Sequence, residues 1–238
     1  MNKKPLILLF GFVLFITFIS AGEEVLIDFT ILKPDLYVSG STESNGQNRT
    51  IAIENWEVQL SHNARTVRSM NLSQTRVTPS RQWGTVLGAR MHFVTEIARL
   101  NGWARINPPF TIPANDSRFE GQGLLTTDRP IKDIRVTVYG HNFPLRFNLN
   151  LLNANNETFT FNFGYIFFDG WETLSLFRYK DLSESWLLEI TEENRRALAN
   201  LNASLNSIRL QDFTIIKDAR ISGGDYLVYF KDVIIIYE

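Results

Sequence analysis

The 238-residue chain contains no cysteine. That absence removes disulfides, thiolate metal sites and thiol nucleophiles together, and leaves nothing to carry a lipid anchor. Stability must come from a packed core. Histidine is nearly as scarce: His62, His92 and His141 are the full set, and none stands at i, i+4 from another. His92 falls within an alternating segment and His141 follows Tyr139 in a turn, so each reads as a surface or hydrogen-bonded side chain rather than a ligand. No Rossmann or P-loop glycine spacing occurs, and no serine sits in Gly-x-Ser-x-Gly. One-sided charge is also missing, with 24 basic against 25 acidic residues. A nucleic-acid partner, which needs a basic stripe, is not expected. Near-neutrality leaves little self-repulsion to oppose packing many copies side by side.

The first feature present is a leader. Lys3 and Lys4 precede an apolar run from Pro5 to Ile19, followed by small residues at Ser20, Ala21 and Gly22 and by Glu23 and Glu24. This is the pattern of a secretory signal peptide over residues 1–22, cut after Gly22 or, as second choice, after Ala21. The run is shorter than the roughly 20 residues that a membrane-crossing helix needs. Removal of Lys3 and Lys4 leaves 22 basic residues against 25 acidic, a formal charge of −3. Residues 23–238 are long enough to bury roughly 70% of their unfolded surface, and a single domain is expected.

Alternation with a period of two dominates the remainder. Ile134, Val136 and Val138 alternate with polar neighbours, as do Leu87, Ala89, Met91 and Phe93. Phe147, Leu149 and Leu151 lead through Asn153–Asn156 to Phe159, Phe161 and Phe163, which predicts an antiparallel hairpin with one apolar face. Val233–Tyr237 is apolar at successive positions, as in a strand covered on both faces in the middle of a sheet. Strands separated by Gly, Pro and Asn turns, without interleaved helices, predict an all-β, jelly-roll-like antiparallel β-sandwich. One short helix is expected within Thr191–Leu205: Leu198, Leu201 and Leu205 share a face, Thr191 can cap, and Glu192 and Glu193 suit the positive end of the dipole. Gly40–Arg49 reads as an exposed polar loop.

Candidate chemical residues are few. Asp169, Glu172, Asp225 and Asp232 are the carboxylates to weigh, because sugar-cleaving sandwiches use a pair of them. Asp169 and Asp225 stand beside glycines, where aspartate commonly hydrogen-bonds the turn backbone; calcium binding and catalysis are the alternatives. Among five tryptophans, Trp103 and Arg105 alternate onto one face, and Trp171 follows Asp169-Gly170. The sequence does not say which face either ring takes; core packing is expected for both, against exposure for stacking on a sugar. Trp83 and Trp186 have polar neighbours and are better candidates for exposed anchors, since Trp and Arg dominate interface energetics.

Four segments then recur in an informative order: NGWARINPPFTIP (Asn101–Pro113), VYGHNFP (Val138–Pro144), FDGWETL (Phe168–Leu174) and SGGDYLVYFKDVIIIY (Ser222–Tyr237). Together they resemble the outer-layer, or sheath, protein of the spirochaete periplasmic flagellar filament, the FlaA family, and cover the chain from about Gly84 to Glu238. The resemblance implies a non-enzymatic structural subunit in the periplasm that coats a flagellin core in repeated copies, alone or with other sheath proteins, and influences stiffness, curvature and motility. It implies no cofactor, no metal and no membrane contact after leader removal. It also marks Trp103, Pro108, Pro109, Phe110, Gly170, Trp171, Gly223, Gly224 and Asp225 as fold-forming. Contacts are expected at Gly40–Arg49, at Ser80–Trp83 with Arg81 and Trp83, at Trp186, and on the helix with Arg195 and Arg196. Ser175–Leu182 departs from the family, which tends to continue with another Trp and an Asn-Pro strand, so this chain reads as a divergent paralogue. A periplasmic carbohydrate-binding module is the alternative, and it predicts coplanar aromatic rings gathered in one groove.

Overall fold

The computed structural model describes residues 22–31, 56–94, 102–108 and 123–238. Residues 1–21 of the leader and the Gly40–Arg49 loop lie outside them. In chain order the strands and helices are β1 (Glu23–Asp28), β2 (Glu57–Leu60), α1 (Val67–Leu72), β3 (Gln74–Ser80), β4 (Gly84–Phe93), β5 (Gly102–Asn107), β6 (Leu124–Thr126), β7 (Ile131–His141), β8 (Leu145–Asn153), β9 (Thr158–Tyr165), β10 (Asp169–Ser175), β11 (Tyr179–Lys180), β12 (Trp186–Leu187), α2 (Glu192–Ala203), β13 (Ser207–Lys217) and β14 (Gly224–Tyr237).

The strands form two sheets. The front sheet runs β10-β7-β14-β4-β3, with β1 also on β14; the back sheet runs β12-β11-β9-β8-β13-β5-β2, with β6 also on β13. Among the described residues, pairing is antiparallel apart from one parallel contact, Lys180 with Gly164. The all-β sandwich expected from alternation is therefore present. Its expected hairpin is β8–β9, with Leu149 opposite Phe161 and Leu151 opposite Phe159. The C-terminal apolar run is the second half of β14, flanked by β7 on one edge and β1 on the other.

One apolar cluster joins the sheets. Ile134, Val136 and Val138 of β7 and Val228, Phe230, Val233 and Ile235 of β14 meet Phe147, Leu149 and Leu151 of β8 and Phe213 and Ile215 of β13. Phe213 and Phe230 stack across the interface with ring centroids 4.4 Å apart and planes 7° from parallel. Trp56 lies parallel to Phe213 at 6.2 Å, and Phe29 meets Trp56 edge-on at 5.4 Å.

The expected helix is α2. Thr191 caps it by accepting from the Asn194 backbone N–H, with Glu192 and Glu193 in the first turn. Asn194 is fully buried and replaces a strand partner for β9: its Nδ2 donates to the Asn162 carbonyl and its Oδ1 accepts from the Asn162 N–H, both at 2.8 Å. A second helix, α1, is six residues long and begins with a capping box in which Thr66 and Ser69 exchange bonds. Its length gives too few turns for a periodic signal.

Candidate interaction surface

Alternation along the front sheet turns one side of each strand into the core and the other outward. In β14, Tyr226, Val228 and Phe230 are buried while Asp225, Leu227 and Tyr229 face out; in β4, Leu87, Ala89 and Met91 face in while Gly88, Arg90 and His92 face out. Strand register then lines outward residues up across the sheet. Arg76 of β3 is opposite Gly88, Gly88 opposite Tyr229, Tyr229 opposite Tyr139 and Tyr139 opposite Trp171. The row crosses five strands at right angles to them.

Its rings pack edge to face. Tyr229 and Tyr139 are 5.8 Å apart at 75°, Tyr139 and Trp171 5.4 Å at 79°, and Trp171 and Trp83 6.4 Å at 89°. The His141 imidazole lies 4.9 Å from Tyr139 and 5.6 Å from Tyr229. At the far end, Lys231 Nζ sits 4.6 Å above the Trp83 ring.

Gly88 lets the Thr78 side chain and the Tyr229 ring close over the strand between Arg76 and Tyr229. A Cβ there would stand 2.3 Å from Thr78 Oγ1 and 3.2 Å from the Tyr229 ring. Two adjoining depressions of about 400 Å³ and 410 Å³ meet at Thr78 and Tyr229: the first includes Gln74, Arg76, Arg90 and Asp225, the second Arg81, Gln82, His141 and Trp171.

Polar groups at the first depression are fixed by one another. Arg90 donates from Nε and Nη2 to the two oxygens of Asp225 at 3.1 and 2.7 Å, and His92 Nδ1 lies 2.8 Å from Asp225 Oδ1. The Arg90 hydrogen bonds, with His92 in support, hold the Asp225 carboxyl below the usual carboxylate range. The same bond raises the Arg90 guanidinium. Asp225 thus bonds side chains of β4 rather than its own turn backbone, which corrects the expectation drawn from its glycine neighbours. Glu172 is engaged by Arg178 at 3.1 Å, and Asp232 by Lys231. Among the described residues, no three His, Cys, Asp or Glu side chains are grouped to hold a metal ion.

Residues 21–238 match the family described as flagellar filament outer layer protein FlaA. The chain belongs to that family. It is 30% identical over 208 residues to the flagellar filament outer layer protein of Spirochaeta aurantia, covering 79% of this chain and 60% of the relative. It is 27% identical to the protein of the same name from Treponema pallidum (strain Nichols), over 92% of this chain and 75% of that one. The chain thus spans about three fifths of the length of the Spirochaeta aurantia relative. Among solved structures, a family 11 carbohydrate-binding module from Clostridium thermocellum aligns over 92% of this chain and 96% of its own, with 10% identity and a TM-score of 0.39.

In this FlaA-family chain the expected residues are dispersed. Arg81 is exposed and Trp83 half-buried in the β3–β4 turn, beside the aromatic row. Trp186 lies on β12 at the edge of the back sheet, stacked on Phe168 at 6.0 Å and 24°, with the Arg178 guanidinium 3.8 Å from its ring centroid. Arg195 and Arg196 are exposed on α2 and both bond Glu192. Pro108 is half-buried after β5, while Pro109 and Phe110 lie outside the described residues. Gly170 (φ +107°) and Gly224 (φ +134°) open β10 and β14 in backbone conformations that side-chain-bearing residues avoid; Gly223 precedes the second. Core packing of Trp103 and Trp171 is not what the structure shows. Trp103 is half-buried on the outer side of β5, opposite in direction to the buried Ala104 and Ile106, and Arg105 lies 4.8 Å over it. Trp171 belongs to the outer row. Sequence reading missed Arg76, Arg90, Tyr139 and Tyr229, although Tyr139 and Tyr229 fall inside the VYGHNFP and SGGDYLVYF segments.

Proposed function

We propose that this protein is a structural subunit of the outer layer of a periplasmic flagellar filament. Residues 1–22 direct export, and residues 23–238 form one sandwich domain that coats a core of flagellin subunits in repeated copies, beside other sheath proteins. The role is mechanical: lateral contacts between rigid sandwiches resist bending and bias curvature, and so influence motility. Membership of the flagellar filament outer layer family over residues 21–238 carries this reading. A non-enzymatic role is supported by the same family membership; Asp225 and Glu172 are each held in an ion pair with an arginine. Contacts fall to exposed Arg81 with adjoining Trp83, to Trp186, and to Arg195 and Arg196 on α2.

The test is co-sedimentation of the purified protein with filaments stripped of their outer layer. Trp83→Ala and the double change Arg195→Glu, Arg196→Glu should each weaken pelleting by roughly 30-fold, the loss of one interface hot spot, with unchanged circular dichroism. Wild-type protein that stays in the supernatant overturns the assignment.

A further inference from the structure

The chain crosses from one sheet to the other at both edges of the sandwich. On one side β2 of the back sheet leads through α1 to β3 of the front sheet; on the other, β10 of the front sheet leads to β11 and β12 of the back sheet. These two ends carry opposite charge. Residues 57–81 hold four arginines against one glutamate, a formal +3, and residues 169–190 hold five carboxylates against two cations, a formal −3. We propose that the α1 end of one copy of this chain docks on the β10–β12 end of a second copy, so that copies join head to tail.

Three observations carry this. First, the uncompensated charge at each end is of one sign. Among the described residues Arg68 and Arg81 are exposed and have no ion pair. At the other end both cations are engaged internally, Arg178 with Glu172 at 3.1 Å and Lys180 with the Phe167 carbonyl at 2.7 Å, while Asp169, Glu184 and Glu189 are exposed. Second, each end has an apolar centre. Val67 and Leu188 are 72% and 76% exposed, the highest values among the large hydrophobic side chains described, and Met70 and Phe177 are exposed with them. Val67 stands between Arg65 and Arg68 in the chain, and Leu188 beside Glu189. An apolar centre within a polar rim is the anatomy of a protein interface, and opposite charges on facing rims set its orientation. Third, the two ends lie at opposite limits of both sheets. Pairing of like ends about a two-fold axis would bring like charges together, whereas unlike ends give a contact that leaves one end of each kind free and so repeats. Direct backbone pairing is disfavoured by Pro79 in β3 and by Arg178 Nη1, which donates to the Thr173 carbonyl of β10 at 2.9 Å; side chains make the contact.

The inference rests on the outer-layer reading for its many-copy setting, and names the lateral partner there as this chain itself. The test is analytical ultracentrifugation of the purified protein over a series of concentrations. Wild type should gain mass continuously with concentration, and its association should weaken at least about fivefold between roughly 50 and 500 mM salt. Arg65→Glu with Arg68→Glu makes both ends net acidic, and Glu184→Arg with Glu189→Arg makes both net basic. Each double variant alone should associate at least about 30-fold more weakly, while an equimolar mixture of the two should recover association because unlike ends meet again. All four positions are exposed, so the unfolding midpoints should match wild type. Wild type that stays monomeric at every concentration overturns the proposal, as does a mixture no more associated than its components. Variants that self-associate normally but no longer pellet with stripped filaments would assign the two ends to the filament core, overturning the proposal while leaving the outer-layer assignment standing. Recovery in the mixture, with a wild-type protein that never pellets with filaments, would uphold the head-to-tail contact and sink that assignment.

Discussion

Removing the ring of Phe213 should unlock the two sheets from each other. Phe213 is fully buried and touches four rings: Phe230 at 4.4 Å, Phe147 at 6.0 Å, Phe29 at 6.1 Å and Trp56 at 6.2 Å. Truncating a buried phenylalanine to alanine costs about 3–5 kcal/mol. At about 2–4 °C per kcal/mol for a chain of this length, the Tm should drop by roughly 6–20 °C. Phe213→Leu keeps most of the volume but loses the stack, and should cost about 1–2 kcal/mol. Because Phe213 and Phe230 lie parallel, deleting both should cost less than the sum of the single deletions, with a coupling of about 0.5–1.5 kcal/mol. Urea unfolding followed by tryptophan fluorescence reads this out, since Trp56 lies in the same cluster. Losses that add to within about 0.3 kcal/mol would show that the two rings do not act as a unit, and the account of the interface would be wrong.

Asn194→Ala should be more damaging than Thr191→Ala, although both sit at the start of α2. The first strips the N–H and C=O of Asn162 of their partner and should cost on the order of 3 kcal/mol, against about 1 kcal/mol for loss of the cap; equal losses in chemical denaturation would refute the bridging role. Asp225→Asn tests the ion pair through pH. Because the folded carboxyl is held below its ordinary value, its stabilisation is complete above the unfolded value of about 3.9 and is lost as pH falls through the folded value. With the side chain 43% exposed, the effect should stay below about 1 kcal/mol. Wild type and variant should differ in urea midpoint at pH 6 and converge on acidification; a gap that persists at low pH would point to another cause. Arg90→Ala should raise the Asp225 carboxyl toward its ordinary value, measured by NMR titration, and an unmoved value would assign the depression to His92 instead.

Much of this architecture is legible without coordinates. The β8–β9 hairpin declares itself because both arms alternate and the intervening Asn residues favour turns. The second half of β14 does so because apolar residues at every position fit only a strand covered on both sides. Thr191, Glu192 and Glu193 announce α2 for electrostatic reasons local to one turn. The aromatic row is different. Alternation places Trp103 with Arg105, and Tyr139 with His141, but a period of two is symmetric about the strand and does not say which side meets the core. Only the register of β3, β4, β14, β7 and β10, fixed by pairings between segments up to about 150 residues apart, brings Arg76, Tyr229, Tyr139 and Trp171 into line. Tyr229 and Trp171 have no sequence relation that would suggest they share a surface.

The position of β14 bears on the order in which the molecule can be made. Among the described residues it alone joins β7 to β4 in the front sheet, with β1 on its second half, yet it comprises residues 224–237. A nascent chain that has emerged as far as residue 220 holds only two separate ribbons from that sheet, β3–β4 and β7–β10, each too slight to persist in water alone. The front sheet, and with it the aligned aromatic row, is therefore complete only once residues 224–237 insert between them. Union of the two ribbons is thus a single event, tied to the pairing of both edges of β14.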